Sequence, residues 1–202
     1  MEKRIITISR ECGSGGHTIG KLVAERLGIA FYDKEIIEMV AAKTKLSPDF
    51  ISSHGEYFQN GSLGHIIGYG GRFASPIQTA SSLQDQMYFV QSELIREIAE
   101  KEPCVIVGRC ADYVLRERND LLNVFIHSEM PFKVERSVHE HGLKEGEAEK
   151  ILTKRDKARA QHYTFYTRQT WGSAMNYHLC LDSGALGVDR CVRLICEAAG
   201  RM

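Results

Sequence analysis

The sequence predicts a three-layer α/β fold, a parallel sheet of roughly five strands with helices on both faces. Three observations predict it. Short apolar runs, residues 5–8, 30–32, 104–107, 121–127 and 178–182, recur along the chain. Between them lie stretches with apolar residues at helical spacing. The first run also feeds directly into a Gly-rich turn and then a helix. The length of 202 residues suits one such domain over residues 1–202 with its own core.

The first unit sets the chemistry. Residues 5–8 read as a buried strand of mostly β-branched residues, and from Thr18 the positions Ile19, Leu22, Val23 and Leu27 share a helical face. Between them stands Cys12-Gly13-Ser14-Gly15-Gly16. Strand, Gly-rich loop and helix together aim backbone N–H groups and a helix N-terminus at one point, an anion site best suited to phosphate. The pattern G-x-x-x-x-G-K-[ST] has two registers here. Ending at Lys21 puts Leu22 where a magnesium-binding hydroxyl belongs, so Lys21 reads as a solvated helix residue. The better register runs from Arg10 to Thr18, with Gly16 at the lysine position and His17 at the Ser/Thr position. In it Arg10, Gly13, Ser14, Gly15, Gly16, His17 and Thr18 are the candidate phosphate-binding residues. Thr18 is the candidate magnesium ligand, with Ser14 as the alternative hydroxyl. A dinucleotide reading, with Gly13, Gly15 and Asp33 on a ribose, is weaker. Its third glycine is Thr18, and Arg10, Glu11 and Cys12 intervene where a tight turn is needed.

The remaining elements follow in order. Asp33 reads as the N-cap of a helix through Ile36, Ile37, Val40 and Ala41, and Ser47-Pro48 opens a short one. Residues 54–82 carry glycines at 55, 61, 64, 68, 70 and 71 and no sustained period. They read as an acceptor-side insertion with Arg72, Tyr57 and Tyr69 as possible contacts. A helix over 83–101 faces Met87, Val90, Leu94, Ile95 and Ile98 inward. After the strand at 104–107 comes Gly108-Arg109, then the strand at 121–127, helices over 131–140 and 145–166, the last strand, and a helix over 188–199. Ligands of parallel sheets gather at the carboxyl ends of strands. Those ends here carry Arg10, Asp33, Arg109, His127 and Asp182.

Composition bounds the partners. Lys+Arg and Asp+Glu are 26 each, which gives no bulk attraction to nucleic acid or an anionic membrane. No run approaches the roughly 18 apolar residues of a membrane span, and no secretory leader is evident. The six cysteines form no C-x-x-C pair, and three (Cys104, Cys180, Cys196) lie in apolar patterns. That predicts reduced thiols and a cytoplasmic protein.

Phosphoryl transfer rests on positioning and charge neutralisation, so it needs several cations, and arginine suits bidentate phosphate contact. Arg109 lies just past a buried strand. Arg155 and Arg159 are four apart on one helix and share a face, with Arg136 on the helix before.

These residues together resemble the cytidylate-kinase-like branch of the P-loop nucleoside-monophosphate kinases. SRECGSGGHTIGKLVAERLG with FYDKEII is similar to that branch's first βαβ unit, VIVGRCADYVL to its acceptor-arginine segment, and FIHSEMPFKVERSV with KRDKARAQHY to its lid. LDSGALGVDRCVRLI is similar to its closing strand and helix. The resemblance implies a P-loop NTPase fold with a helical lid over about 131–166, ATP and Mg2+ as cofactors, and transfer to a CMP-like nucleotide. It implies that Arg109, Arg155 and Arg159 are catalytic. It also implies acceptor contacts from Asp33, Arg109, His127 and Arg136. The expected partners are small nucleotides, with the chain a monomer or homodimer. The resemblance also points to two departures. The loop lysine position is Gly16, for which His17 and Arg10 are the nearby cations, and the acidic position ending the fourth strand is His127.

Overall fold

The computed structural model describes residues 4–49, 51 and 76–200, with the backbone alone for 76–83. Five strands form one sheet: β1 (Ile5–Arg10), β2 (Ala30–Tyr32), β3 (Cys104–Val107), β4 (Leu121–His127) and β5 (Leu179–Asp182). Their order is β2-β3-β1-β4-β5 and every neighbouring pair is parallel. The first strand in sequence is therefore the middle one in space. β1, β3 and β4 are buried almost throughout, which is why they read as unbroken apolar runs. β5 is an edge strand, and Cys180, expected inside, is exposed there.

Alternate residues divide the core between two faces. Ile6, Ile8, Val105, Val107, Leu122, Val124 and Ile126 pack under α1 (Gly16–Leu27). The C-terminal helix, Val188–Ala198, covers the same face through Val192 and Ile195. Ile5, Cys104, Ile106 and Leu121 face the other way, onto α2 (Lys34–Thr44) and α3 (Pro76–Lys101). The polar members of this second face, Thr7 and Asn123, join across β1 and β4 by a 2.6 Å hydrogen bond.

Several elements differ from the sequence reading. α1 opens at Gly16, two residues earlier than expected, so Gly16 and His17 belong to its first turn. α3 opens at Pro76, inside the stretch read as aperiodic. Pro76 suits a first helical position, and Ile77, Ala80 and Leu83 extend the spacing of Met87 backwards. The rest of that insertion, with Tyr57, Tyr69 and Arg72, lies outside the described residues. Two four-residue helices were not anticipated, α4 (Ala111–Val114) and α7 (Ser183–Leu186). α5 (Met130–His141) and α6 (Glu145–Thr167) pack on one another, and α8 (Val188–Ala198) ends the fold. Among the described residues no helix is long and apolar enough to cross a membrane.

Candidate active site

The loop after β1 is shaped by its glycines. Gly13 and Gly15 sit at φ +83° and +79°, a region open to glycine at little cost. At Gly13 space is closed as well, since a Cβ would lie 2.8 Å from Lys133 O and from Ser137 Oγ. Ser14 is fully buried; its hydroxyl donates to Glu11 O at 2.8 Å and lies 3.2 Å from Ile126 O. That hydroxyl ties the loop to its own backbone and to the end of β4. Gly15 is the N-cap of α1 but offers no capping side chain, and the first turn of α1 has no acidic residue. The N–H groups that a cap would satisfy are thus left for an anion. The loop fits phosphate.

Cations from α5 and α6 surround it. Arg136 lies against Gly15, its Cζ 3.1 Å from where a Cβ would stand, and Nη2 donates to Thr18 Oγ1 at 2.9 Å. The same guanidinium pairs with Glu140 at 2.7 Å. Arg159 donates to Arg10 O at 3.3 Å, and Arg155 Nη1 reaches Cys12 Sγ at 3.9 Å. Arg155 and Arg159 therefore do meet the loop across more than 140 residues of sequence. Asp156, between them, accepts from the Cys12 N–H at 2.7 Å. Lys133, 6% exposed, ties Asp156 (3.6 Å) to Glu11 (2.9 Å), and Glu11 also accepts from Ser128 N–H. Burial pushes the Asp156 carboxyl up, against the pull of the Cys12 N–H and the two cations.

A second cluster forms at the end of β3. Gly108, Arg109 and Cys110 all have positive φ (+73°, +62°, +54°). Such a run in non-glycine residues carries strain of the kind found at ligand sites. Arg109 is only 4% exposed, and among the described residues its Nε has no hydrogen-bond partner. Gln91 holds the residue at both ends: Nη1 donates to Gln91 Oε1 at 3.4 Å, and Gln91 Nε2 donates to Arg109 O at 3.3 Å. A small cavity of about 20 Å³ lies between Arg109, Arg10, Arg159, Ser9, His162 and Tyr163. Below it Tyr163 donates to the buried Asp112 at 2.7 Å, and burial pushes that carboxyl up to about 6.

The other sequence candidates are placed as follows. Asp33 is the N-cap of α2 in position only, making no side-chain cap bond. Its carboxylate instead faces His17 Nε2 at 3.4 Å and Arg10 Nη2 at 3.9 Å, and Glu35 takes the Asp33 N–H. His17 also meets the Phe31 ring edge to face. His127 does not join Arg109. It lines an open hollow with Phe125, Glu11, Ser128 and Cys180, stacked beside Phe125, and Trp171 walls both this hollow and the Arg109 cavity. Asp182 caps α7, accepting from Gly184 and Ala185 N–H, which holds its carboxyl below the usual range. Lys21 is solvated and within 4.0 Å of Glu25, as read. Glu11, Lys133, Asp156, Gln91 and Asp112 were not singled out. The contacts that bring them to the site span 18 to 144 residues, so no local pattern marks that role, although Asp156 also pairs with Arg159 one turn along α6.

For Mg2+ the chain offers the Thr18 hydroxyl, which Arg136 engages. Among the described residues no three His, Cys, Asp or Glu side chains form a metal cage. Magnesium fits here as an ion carried on phosphate oxygens rather than in a cage of protein ligands.

A model of the family described as cytidylate kinase-like matches residues 5–185. The chain belongs to the cytidylate kinase-like family. The cytidylate kinase-like match runs from β1 into α7 and so includes both clusters. Among solved structures, the chain is similar to an uncharacterized protein from Eubacterium ventriosum ATCC 27560. The identity is 28%, the TM-score 0.73, and the match covers 98% of this chain and 99% of that one. It is also similar to a shikimate kinase from Bacteroides thetaiotaomicron (15%, TM-score 0.56, 97% and 98% covered). A third is a gluconokinase from Sinorhizobium meliloti 1021 (16%, TM-score 0.55, 96% and 93% covered). The last two share the fold of this cytidylate kinase-like chain, that of P-loop kinases. No curated protein matches the sequence.

Proposed function

We propose that this protein transfers a phosphoryl group from ATP, with Mg2+, to the phosphate of a nucleoside monophosphate of the CMP class. One observation carries the reading: the buried Arg109, whose Nε has no hydrogen-bond partner among the described residues, lines a cavity beside the loop whose helix N-terminus is uncapped. The uncapped N–H groups after Gly15 would hold donor phosphates. Arg109, fixed by Gln91, would hold the acceptor phosphate. Arg159, Arg155 and Arg136, already at the loop in this structure, would neutralise charge on the transferred group. Thr18 would contribute its hydroxyl oxygen to holding Mg2+, which would supply charge neutralisation of the donor phosphates. Burial of the cavity strengthens each of these contacts.

A second reading, a kinase of another small metabolite, is favoured by the place of His127. It lines the neighbouring hollow, which shares Trp171 with the Arg109 cavity, rather than that cavity itself. The relatives named shikimate kinase and gluconokinase give the acceptors to include.

The test is ADP release with ATP and Mg2+ across CMP, dCMP, UMP, AMP, GMP, shikimate and gluconate. Turnover with CMP or UMP is expected, falling on the order of 100-fold or more in Arg109→Ala. Turnover with a non-nucleotide acceptor alone would select the second reading. ATP binding with no acceptor-driven release would sink both.

A further inference from the structure

We infer that Arg10 is the donor-phosphate cation of this site, and that Arg10 and Gly16 have exchanged the roles of two positions of the phosphate-loop pattern. The inference rests on the proposed function, since it names a ligand of that same site. In the register from Arg10 to Thr18, Arg10 stands where the pattern has its first glycine and Gly16 where it has its lysine. The structure gives the physical link between the two. A Cβ built on Gly16 would overlap Arg10 Cβ and lie 2.9 Å from Arg10 Cγ. Arg10 Cβ is fixed by the backbone of β1, paired at this residue with Ile126 of β4, and a Cβ does not move with the side-chain rotamer, so no rotamer relieves the overlap. A side chain at one position excludes a side chain at the other.

The guanidinium so displaced still reaches the place where phosphate chemistry would occur. Arg10 lines the small cavity with Arg109 and Arg159, and its side chain is 11% exposed. Arg159 fixes the Arg10 carbonyl from above, and Asp33 lies 3.9 Å from Nη2. The cavity also holds Arg109, whose buried Nε has no partner among the described residues. A cation leaving α1 for the end of β1 thus stays beside the uncapped helix terminus, on the side that faces the acceptor arginine. That position favours the terminal phosphate of a triphosphate over the inner ones.

The experiment is calorimetric titration of the full chain with Mg2+ and either a non-hydrolysable ATP analogue or ADP. Arg10→Met should weaken the triphosphate about tenfold to a hundredfold, as loss of a charged hydrogen bond does, and ADP much less. Gly16→Lys alone should bind neither well, because the overlap displaces the loop. The double variant Arg10→Gly with Gly16→Lys should recover triphosphate binding, whereas Arg10→Ala with Gly16→Lys should not, since alanine keeps the offending Cβ. Wild-type-like binding by Arg10→Met overturns the inference and leaves the proposed function standing. A folded Arg10→Gly, Gly16→Lys protein that fails to bind also overturns it. If the wild type binds no triphosphate, the proposed function falls as well. If Arg10→Met does not fold, Arg10→Lys and the double variant decide the question by the same ratio of triphosphate to ADP affinity.

Discussion

Asp112 shows how far a residue's chemistry is set by what folds around it. In the sequence it is one acid in a short segment after Arg109. In the fold it is 3% exposed, with the hydroxyl of Tyr163, a residue lining the Arg109 cavity, as its donor. Burial raises its carboxyl from 3.8 to about 6, although Tyr163 and local N–H groups pull the other way. The folded state therefore holds a proton that the unfolded chain releases near pH 4. Stability from this group falls as pH rises from about 4 to 6 and is level above that. Asp112→Asn has no such proton. Its unfolding free energy, compared with wild type by urea titration at each pH, should gain about 3 kcal/mol across that window. A difference that stays constant with pH would remove burial as the cause. The loop glycines and Arg109 were legible in the sequence because residue type alone implies a turn or a strand-end cation. Asp112 was not, because its partner Tyr163 is 51 residues away.

At the scale of elements, α5 and α6 are tied to the loop by the chain's own acids. Glu11, Lys133 and Asp156 form one chain of charge contacts, and Asp156 ends it on the Cys12 N–H. Asp156→Ala leaves a buried donor unpaired and should cost about 1–3 kcal/mol of stability. Lys133→Met should cost a similar amount. Because the two touch, the double variant should cost less than the sum, by about 0.5–3 kcal/mol in a urea-midpoint cycle. Strict additivity would mean that the contact does not couple α5 to α6. The helices themselves were legible from spacing, and α5 and α6 fall within a residue or so of expectation. α4 and α7 were not, since four residues show no period. His127 illustrates a different limit. Its place at a strand end could be read, but the face to which a strand presents its last side chain depends on the neighbouring strands.

For the whole molecule, short apolar strands between periodic helices were enough to give a parallel sheet with two covered faces. They were not enough to give the strand order, which depends on how segments a hundred residues apart pair. Charge is similar. The net formal charge of zero conceals a local arrangement in which Arg136, Arg159 and Lys133 each stand beside an acid. Any phosphate entering that space competes with those carboxylates for the same cations.

The central position of β1 bears on how the chain comes to fold during synthesis. β1 leaves the ribosome ahead of both its neighbours, β3 and β4, which follow more than ninety residues behind it. Its apolar side chains have no partner strand until residue 107 is free and no second one until residue 127 is free, so productive pairing is late and long-range, a topology that folds slowly. Stalled nascent chains ending before Leu121 should be cut readily by protease throughout, and chains released beyond α8 should be resistant. Protection of residues 5–27 in the shorter chains would show that the first βα unit stands alone. Otherwise the phosphate loop is among the first segments made and the last to take its shape.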